Sequence, residues 1–240
     1  MNEYPGICAH RGLSKACPEN TLPAFGAAIA VGVDEIEFDL RQTKDGHTVI
    51  CHDPSIDRTT DGSGKICDLT LSQLKEADAG IYLSEHWKGV KIPTIHEVFE
   101  NYAGLVKMNI HVYDPGINGR VIKEVKELAE KHHIEKSIYL AGRKDVLPSF
   151  VKYAPDLERA CLEAQNTPVI LEYAQKYNCQ RVQFGRKVTD EMIRKSKALG
   201  LISNIYYADT PEDAIGFIER GIDVILSNTA CKIIDAFRER

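Results

Sequence analysis

The stretch Val33–Pro54, VDEIEFDLRQTKDGHTVICHDP, decides how this sequence is expected to fold. Its first half alternates acidic residues with apolar ones: Glu35, Ile36, Glu37, Phe38, Asp39 and Leu40. Because successive side chains in a β-strand point to opposite faces, the three carboxylates share one face of a strand and the apolar residues share the other.

The second half of the stretch predicts a hairpin that returns to the same acidic face. Asp45-Gly46 is a strong turn signal, and residues 47–52 form the returning arm. If the arms pair about positions 45 and 46, position 39 lies opposite position 52, and His52 is expected beside Asp39. Two carboxylates and an imidazole on one patch are costly unless they bind a cation or take part in chemistry.

Short apolar runs alternate with amphipathic segments along the rest of the chain, which is typical of repeated βα units and a parallel sheet. Strands are predicted at 6–10, 34–40, 106–113, 136–141, 158–162, 180–184, 202–206 and 222–227. Helices are predicted between them, most clearly at 21–31, 117–132, 188–199 and 211–220. Eight strands with helical crossovers predict an α/β fold, a (β/α)8 TIM barrel, with the 47–52 arm as an extra hairpin strand.

One region, 53–105, interrupts this alternation with turn residues and a capped segment at 70–74. We interpret residues 1–240 as a single barrel domain with an insertion at 53–105. The insertion is expected to lie over one face of the barrel, because it is too short to have a core of its own.

Composition excludes several classes of protein. With 240 residues and 43% hydrophobic content, the chain can bury a large core. A net charge of -5 gives no basic excess for a nucleic-acid backbone, so nucleic acid is not an expected partner. No run predicts a transmembrane segment or a signal peptide. Seven scattered cysteines without CxxC spacing predict reduced thiols and a cytoplasmic protein.

The first predicted strand ends in His10-Arg11-Gly12, and His10 is expected at the carboxyl end, where barrel enzymes have their active sites. Arg11 follows in the loop, where a guanidinium can bind a phosphate through two hydrogen bonds. A lone histidine at a strand end is usually structural. Here His10 and His52 fall at the same ends of neighbouring strands as Glu37 and Asp39, which favours a catalytic site.

At this point the sequence resembles the glycerophosphodiester phosphodiesterases, a barrel family with a small insertion after its second histidine. The resemblance rests on motifs that occur in the family's order and spacing: His10-Arg11-Gly12, Pro18-Glu19-Asn20-Thr21-Leu22, Ala24-Phe25, Glu37-Phe38-Asp39, Thr43-Lys44-Asp45-Gly46, His52-Asp53, Arg58-Thr59-Thr60 and Ile92-Pro93-Thr94. It covers the first hundred residues closely.

The resemblance implies a role for each matching residue. His10 and His52 correspond to the general acid/base pair, Glu37 and Asp39 to metal ligands, and Arg11 to a phosphate contact. Such a site suits hydrolysis of a small-molecule phosphodiester to sn-glycerol 3-phosphate and an alcohol. A divalent cation neutralises developing charge, while imidazoles transfer protons near pH 7. By similarity to bacterial phospholipases, His10 is assigned as base and His52 as acid.

The third strand departs from the family pattern Asn-x-Glu-x-Lys, in which Glu is a metal ligand and Lys helps to bind phosphate. This chain has Asn109-Ile110-His111-Val112-Tyr113. We predict one divalent ion at Glu37, Asp39 and His111, magnesium or calcium by resemblance. An imidazole in place of a carboxylate tilts the preference toward manganese or zinc. Tyr113 can replace the lysine at the substrate only as a hydrogen-bond donor.

The substrate wall departs as well. The family's Trp-Thr-Val-Asn run is replaced by Asn204-Ile205-Tyr206-Tyr207-Ala208, and its Thr-Asp-x-Pro by Ser227-Asn228-Thr229. Three interpretations stay open: an active metal-dependent phosphodiesterase, a diverged barrel enzyme with another substrate, or a non-catalytic ligand-binding homologue. The retained histidine pair favours an enzyme.

Two further acidic residues are interpreted separately. Glu19 is expected to support the start of the first helix or Arg11 rather than to bind metal. Glu35 lies deeper on the Glu37 face and needs a partner that the sequence does not identify.

Overall fold

The computed structural model describes residues 6–238. In that range the strands are β1 Gly6–His10, β2 Glu35–Gln42, β3 Thr48–Ile50, β4 Lys107–Val112, β5 Ile138–Gly142, β6 Glu158–Cys161, β7 Arg181–Gly185, β8 Ile202–Tyr206 and β9 Val224–Ser227. The helices are α1 Leu22–Val31, α2 Leu71–Glu76, α3 Ile95–Tyr102, α4 Arg120–His132, α5 Leu147–Tyr153, α6 Val169–Lys176, α7 Asp190–Ala198, α8 Pro211–Glu219 and α9 Ala230–Arg238. Short 3-10 turns occupy Ile66–Asp68, Glu85–Trp87 and Ile117–Gly119.

The sheet closes into the predicted barrel. The strand order is β1-β9-β8-β7-β6-β5-β4-β2-β3, and an additional β1–β2 pairing joins the first strand back to the second. All pairs of the ring are parallel, whereas β3 pairs antiparallel with β2 and stays outside it. The (β/α)8 TIM barrel with an extra hairpin strand is therefore confirmed.

Two layers of packing hold the barrel. Outward-facing strand residues such as Ile36, Phe38 and Ile110 join the helices in one large buried core. Inward-facing residues such as Cys8 and Tyr139 fill the barrel itself. Burial of both faces explains the nearly continuous apolar runs of most strands.

The register of the β2–β3 hairpin differs from the prediction. Leu40 pairs with Ile50, and the Cys51 amide donates to the Asp39 carbonyl at 2.9 Å, so position 39 lies opposite 51 and not 52. The cause is a three-residue loop instead of a two-residue turn: Thr43 N–H donates to His47 O at 2.9 Å, and Gly46 has a φ of +84°. Loops of this kind commonly end in a left-handed glycine. His52 thus follows the strand rather than belonging to it.

The stretch 53–105 divides into two parts. Its last part contains α3, whose Ile95, Val98 and Phe99 are buried in the main core beside the other outer helices. The earlier part, together with β3, has a small apolar cluster of its own that includes Ile56 and Leu74, which the sequence analysis did not predict. Within 6–238, none of the helices combines the length and apolar composition needed to cross a bilayer.

Candidate active site

A cavity of about 130 Å³ opens at the carboxyl ends of the strands, where the chain runs from strand to helix. The residues that line it include His10, Arg11, Asp39, His52, His111, Val112, Tyr113, Ala141, Gly142, Arg143, Leu162, Gln165, Gln183 and Tyr206. Six of the seven predicted site residues are in this set, and Glu37 lies directly behind them. The sequence prediction that these side chains converge therefore agrees with the geometry.

Glu37, Asp39 and His111 form one compact group beneath the cavity. Nδ1 of His111 lies 3.1 Å from Glu37 Oε1 and 3.9 Å from Asp39 Oδ1. The strand register produces this arrangement, because Glu37 pairs with Asn109 and Asp39 pairs with His111 on β4. All three residues are buried, so their charges are shielded little by water.

The electrostatics of this group are those of a site with an excess of buried acid. Burial, and next to it Asp39, raises the pKa of Glu37 well above its usual value. Burial works to raise the pKa of Asp39 too, but His111, Arg11 and other donors outweigh it, so that pKa lies below the usual value. Burial lowers the pKa of His111 to about 4, so its ring is neutral at pH 7 and able to bind a metal.

The group fits a divalent cation. One ligand atom from each of the three residues lies within 4.8 Å of the others. Glu37 Oε1 and His111 Nε2 are both buried without an aligned hydrogen-bond partner, which is costly for polar atoms that nothing else satisfies. Two carboxylate oxygens and an imidazole nitrogen match the ligand preferences of manganese or zinc, and carboxylates also suit magnesium.

His10 is held by a hydrogen-bonded chain that sequence reasoning did not assign. Its Nδ1 lies 2.7 Å from Asn228 Oδ1, and the Asn228 side-chain amide donates to Asp209 Oδ2 at 2.8 Å. The Asn228 backbone N–H donates to Asp209 Oδ1, also at 2.8 Å. The only sequence signal was the departure at Ser227-Asn228-Thr229.

The hydrogen bonds from His10 through Asn228 to Asp209 determine the tautomer of His10. The Asp209 carboxylate can only accept, so the Asn228 amide must turn its NH₂ group toward Asp209 and its oxygen toward His10. His10 Nδ1 therefore carries the proton, and Nε2 is left with a free lone pair in the neutral ring. Burial first, and then the Arg11 charge, lower the pKa of His10, which favours that neutral form.

His52 has a different partner. Its Nδ1 lies 2.7 Å from Asp53 Oδ1, and Arg58 donates to Asp53 Oδ2 at 2.6 Å. Hydrogen bonds from Arg58, and to a lesser extent from His52, lower the pKa of Asp53 to about 2. Together they outweigh burial, which acts to raise that pKa. Asp53 is thus an anion that orients the His52 ring, whereas a neutral amide orients His10.

Arg11 lies between the acidic group and the loop that precedes α1. Its Nη1 donates to Glu19 Oε1 at 2.8 Å, its Nε is 3.6 Å from Asp39 Oδ2, and its backbone N–H donates to Glu37 Oε2 at 2.9 Å. Glu19 therefore supports Arg11, as expected. Thr21 is the N-cap of α1, and Asn20 instead donates to Asp39 Oδ2 at 2.9 Å.

Tyr113 lies at the cavity with its hydroxyl donating to Asp39 Oδ1 at 2.8 Å. The Arg41 guanidinium carbon lies 4.0 Å from the Tyr113 ring centroid, over the face of the ring, in a cation–π contact that helps to hold the ring in place. The hydroxyl is thus a hydrogen-bond donor held at the acidic group.

Glu35, whose partner the sequence did not identify, is neutralised within the barrel. Arg181 Nη1 lies 3.1 Å from Glu35 Oε1, and the Tyr139 hydroxyl donates to Glu35 Oε2 at 2.6 Å. This buried ion pair lies below Glu37, Asp39 and His111, nearer the amino ends of the strands, and neither Glu35 nor Arg181 lines the cavity.

Comparison with known proteins identifies relatives over nearly the whole chain. A family model for the glycerophosphoryl diester phosphodiesterase family matches residues 10–230. A glycerophosphodiester phosphodiesterase of Caldanaerobacter subterraneus subsp. tengcongensis is 33% identical over 242 residues, which cover 97% of this chain and 98% of that protein. A Bacillus subtilis enzyme of the same name is 28% identical and covers 92% of this chain and 82% of its own length.

Solved structures agree with these sequence matches. An Oleispira antarctica phosphodiesterase, in complex with the product sn-glycerol-3-phosphate, superposes with a TM-score of 0.89 at 25% identity, covering 98% of this chain and 97% of that one. A structure from Galdieria sulphuraria described as a glycerophosphodiester phosphodiesterase gives a TM-score of 0.85 at 25% identity, with 99% and 98% coverage.

Proposed function

The chain belongs to the glycerophosphoryl diester phosphodiesterase family and is a phosphoric diester hydrolase, and on that premise we propose that it hydrolyses a glycerophosphodiester to sn-glycerol 3-phosphate and an alcohol in a metal-dependent reaction. The observation that carries the proposal is the convergence of two differently oriented histidines on one cavity above Glu37, Asp39 and His111.

His10 is the general base in this proposal. Its Nδ1 proton is committed to Asn228, so Nε2 is free to take a proton from the nucleophile, which is either a water or a hydroxyl of the substrate. The lowered pKa of His10 supports this role, because it keeps the ring neutral before the reaction.

His52 is the general acid. The ionised Asp53 accepts a hydrogen bond from its Nδ1 and so fixes the orientation of the ring. Nε2 then donates its proton to the departing alkoxide, which is a poor leaving group without it.

The remaining residues bind and orient. Arg11 contacts the phosphoryl group, and the Tyr113 hydroxyl orients Asp39 or the substrate. When bound at Glu37, Asp39 and His111, a divalent ion neutralises the negative charge that develops on the phosphoryl oxygens. The unpartnered atoms of Glu37 and His111 support this ligand set.

The test is hydrolysis of sn-glycero-3-phosphocholine and bis(p-nitrophenyl) phosphate after chelation and re-addition of magnesium, calcium, manganese or zinc. Turnover is expected to need metal and to be lost in His10→Ala and His52→Ala, whereas His96→Ala, which changes a surface histidine paired with Glu124, retains it. A Glu37→Gln variant is expected to lose bound metal by elemental analysis. Metal-independent turnover, or unchanged metal content, would contradict the proposal.

We also propose that the protein works in the cytoplasm, in a reducing environment. All seven cysteines are free thiols, and burial raises the pKa of several, including that of Cys51 to about 12, which keeps them protonated and unreactive.

A further inference from the structure

Arg143 is a second guanidinium on the cavity, contributed by a part of the chain with no recognised site motif. It directly follows β5, whose last residue is Gly142, and it lines the same cavity as His10 and His52. Ala141 of β5 is the register partner of His111. Arg143 therefore lies two residues beyond the level of Asp39 and His111, just past the end of the adjacent strand.

The two arginines that line the cavity differ in how their charge is used. Arg11 is bonded to Glu19 and lies close to Asp39, so nearby carboxylates already offset its charge. Arg143 makes no ion pair or side-chain hydrogen bond with any residue in the described range 6–238. A phosphodiester carries a full negative charge, and an anion above Glu37 and Asp39 needs uncommitted positive charge for binding.

A second observation, at β7 on the same side of the cavity as β5, indicates that a ligand binds there. Gln183 of β7 lines the cavity and is only 2% exposed, yet its Oε1 has no hydrogen-bond partner. A buried amide oxygen of this kind is unfavourable unless a ligand or ordered water donates to it. A hydroxyl group supplies such a donor, and Arg143 supplies a site for the phosphoryl oxygens of the same molecule.

We propose that Arg143 is a phosphoryl-binding residue and that with Gln183 it forms a subsite for a phosphorylated polyol on the β5–β7 side of the cavity. The inference rests on the proposed function for the reaction, but the subsite itself is a binding feature. The guanidinium donates two parallel hydrogen bonds to phosphoryl oxygens, while the hydroxyl of the polyol donates to Gln183.

The kinetic test compares Arg143→Ala and Arg143→Lys with Lys144→Ala. Lys144 is the matched control because it is the adjacent exposed cation, lies outside the lining set and has Glu163 3.7 Å from its Nζ. With sn-glycero-3-phosphocholine and sn-glycero-3-phosphoserine, Arg143→Ala is expected to lower kcat/KM for both by about 10- to 100-fold, the loss of one charged hydrogen-bonding group. Arg143→Lys is expected to retain part of the activity that Arg143→Ala loses. The control Lys144→Ala is expected to keep the wild-type kcat/KM.

The two substrates separate a phosphoryl contact from a headgroup contact. If Arg143→Ala impairs only the phosphoserine substrate, Arg143 binds the carboxylate of the headgroup and the proposal is overturned. Equal kcat/KM for wild type and Arg143→Ala overturns it as well.

A binding measurement separates failure of the subsite from failure of the proposed function. Titration with inorganic phosphate, followed by calorimetry, needs no turnover and is expected to give a Kd about 10-fold or more higher in Arg143→Ala than in wild type. If wild type hydrolyses neither substrate, the proposed function fails while this comparison still decides the subsite. The same phosphate affinity in both proteins, or none in wild type, refutes the role of Arg143.

Discussion

Replacing Asn228 with alanine tests the proposed role of His10 as general base. Asn228 lies at the end of β9, 218 residues from His10 in sequence, and its Oδ1 is 2.7 Å from His10 Nδ1. The substitution removes the acceptor while Asp209 keeps its bonds from the Asn228 backbone N–H and the Ser227 hydroxyl. The perturbation is therefore confined to the orientation and tautomer of one ring.

The expected magnitude follows from the change in charge during the reaction. Before proton transfer the bond from His10 to Asn228 joins neutral groups and contributes about 0.5–1.5 kcal/mol. When Nε2 has accepted a proton, the donor is cationic and the bond contributes about 1.5–3 kcal/mol. Only the difference between the two contributions, about 1–1.5 kcal/mol, adds to the barrier, so the substitution lowers kcat by about 5- to 13-fold at about 1.36 kcal/mol per tenfold. KM should change little, because Asn228 is not among the residues that line the cavity.

Two assays decide the result. Steady-state kinetics with sn-glycero-3-phosphocholine are compared with those of Ser14→Ala, whose hydroxyl lies 3.4 Å from the same Asn228 oxygen and is expected to have a small effect. Nitrogen NMR of the histidine rings is expected to show protonated Nδ1 for His10 in wild type and a mixture of tautomers in Asn228→Ala. A kcat within about twofold of wild type, or a wild-type His10 that carries its proton on Nε2, would refute the reasoning.

Two other predictions follow from the polar groups around the site. The double variant Asp209→Asn/Asn228→Asp exchanges the two partners and places a carboxylate against His10. In wild type, burial and the Arg11 charge lower the pKa of His10, whereas a neighbouring anion raises the pKa of an imidazole. The acid limb of the kcat/KM profile is therefore expected to move to higher pH in the variant, and an unmoved limb would exclude His10 as the base. Arg181→Met leaves the buried Glu35 without its cation and is expected to lower the free energy of unfolding by about 3–5 kcal/mol, or the Tm by roughly 6–20 °C. The surface control Lys195→Met should change the free energy of unfolding by less than about 0.5 kcal/mol. A Tm shift as small as the control's would show that the Tyr139 hydroxyl alone satisfies Glu35.

Much of the site was predictable from local patterns. The alternation in 35–40 predicts a strand with its acids on one face, and parallel strands in a barrel bring their carboxyl ends together. These two rules are enough to place His10, Glu37, Asp39 and His111 at one cavity, because each residue's position depends only on its own strand. The resemblance then supplied the reaction class, which the fold alone does not determine.

Two local details were not predictable in the same way. Asp45-Gly46 suggests a two-residue turn, but Thr43 and His47 close a three-residue loop, and the register shifts by one position. A single-residue shift reverses which residue faces the acids. His52 reaches the cavity because the chain leaves β3 before it, which no periodicity indicates.

The sequence by itself determined the barrel, the acidic face of β2 and the pair of histidines proposed as acid and base, because these follow from periodicity and from short motifs read in order. Only the tertiary structure decided the partners of the buried groups, which are Asn228 and Asp209 for His10 and Arg181 for Glu35, and only the tertiary structure brought Arg143 to the cavity. Closure of the sheet places β9 beside β1 and β5 beside β4, and hydrogen bonds between side chains so distant along the chain depend on that closure, on register and on loop conformation rather than on any local pattern.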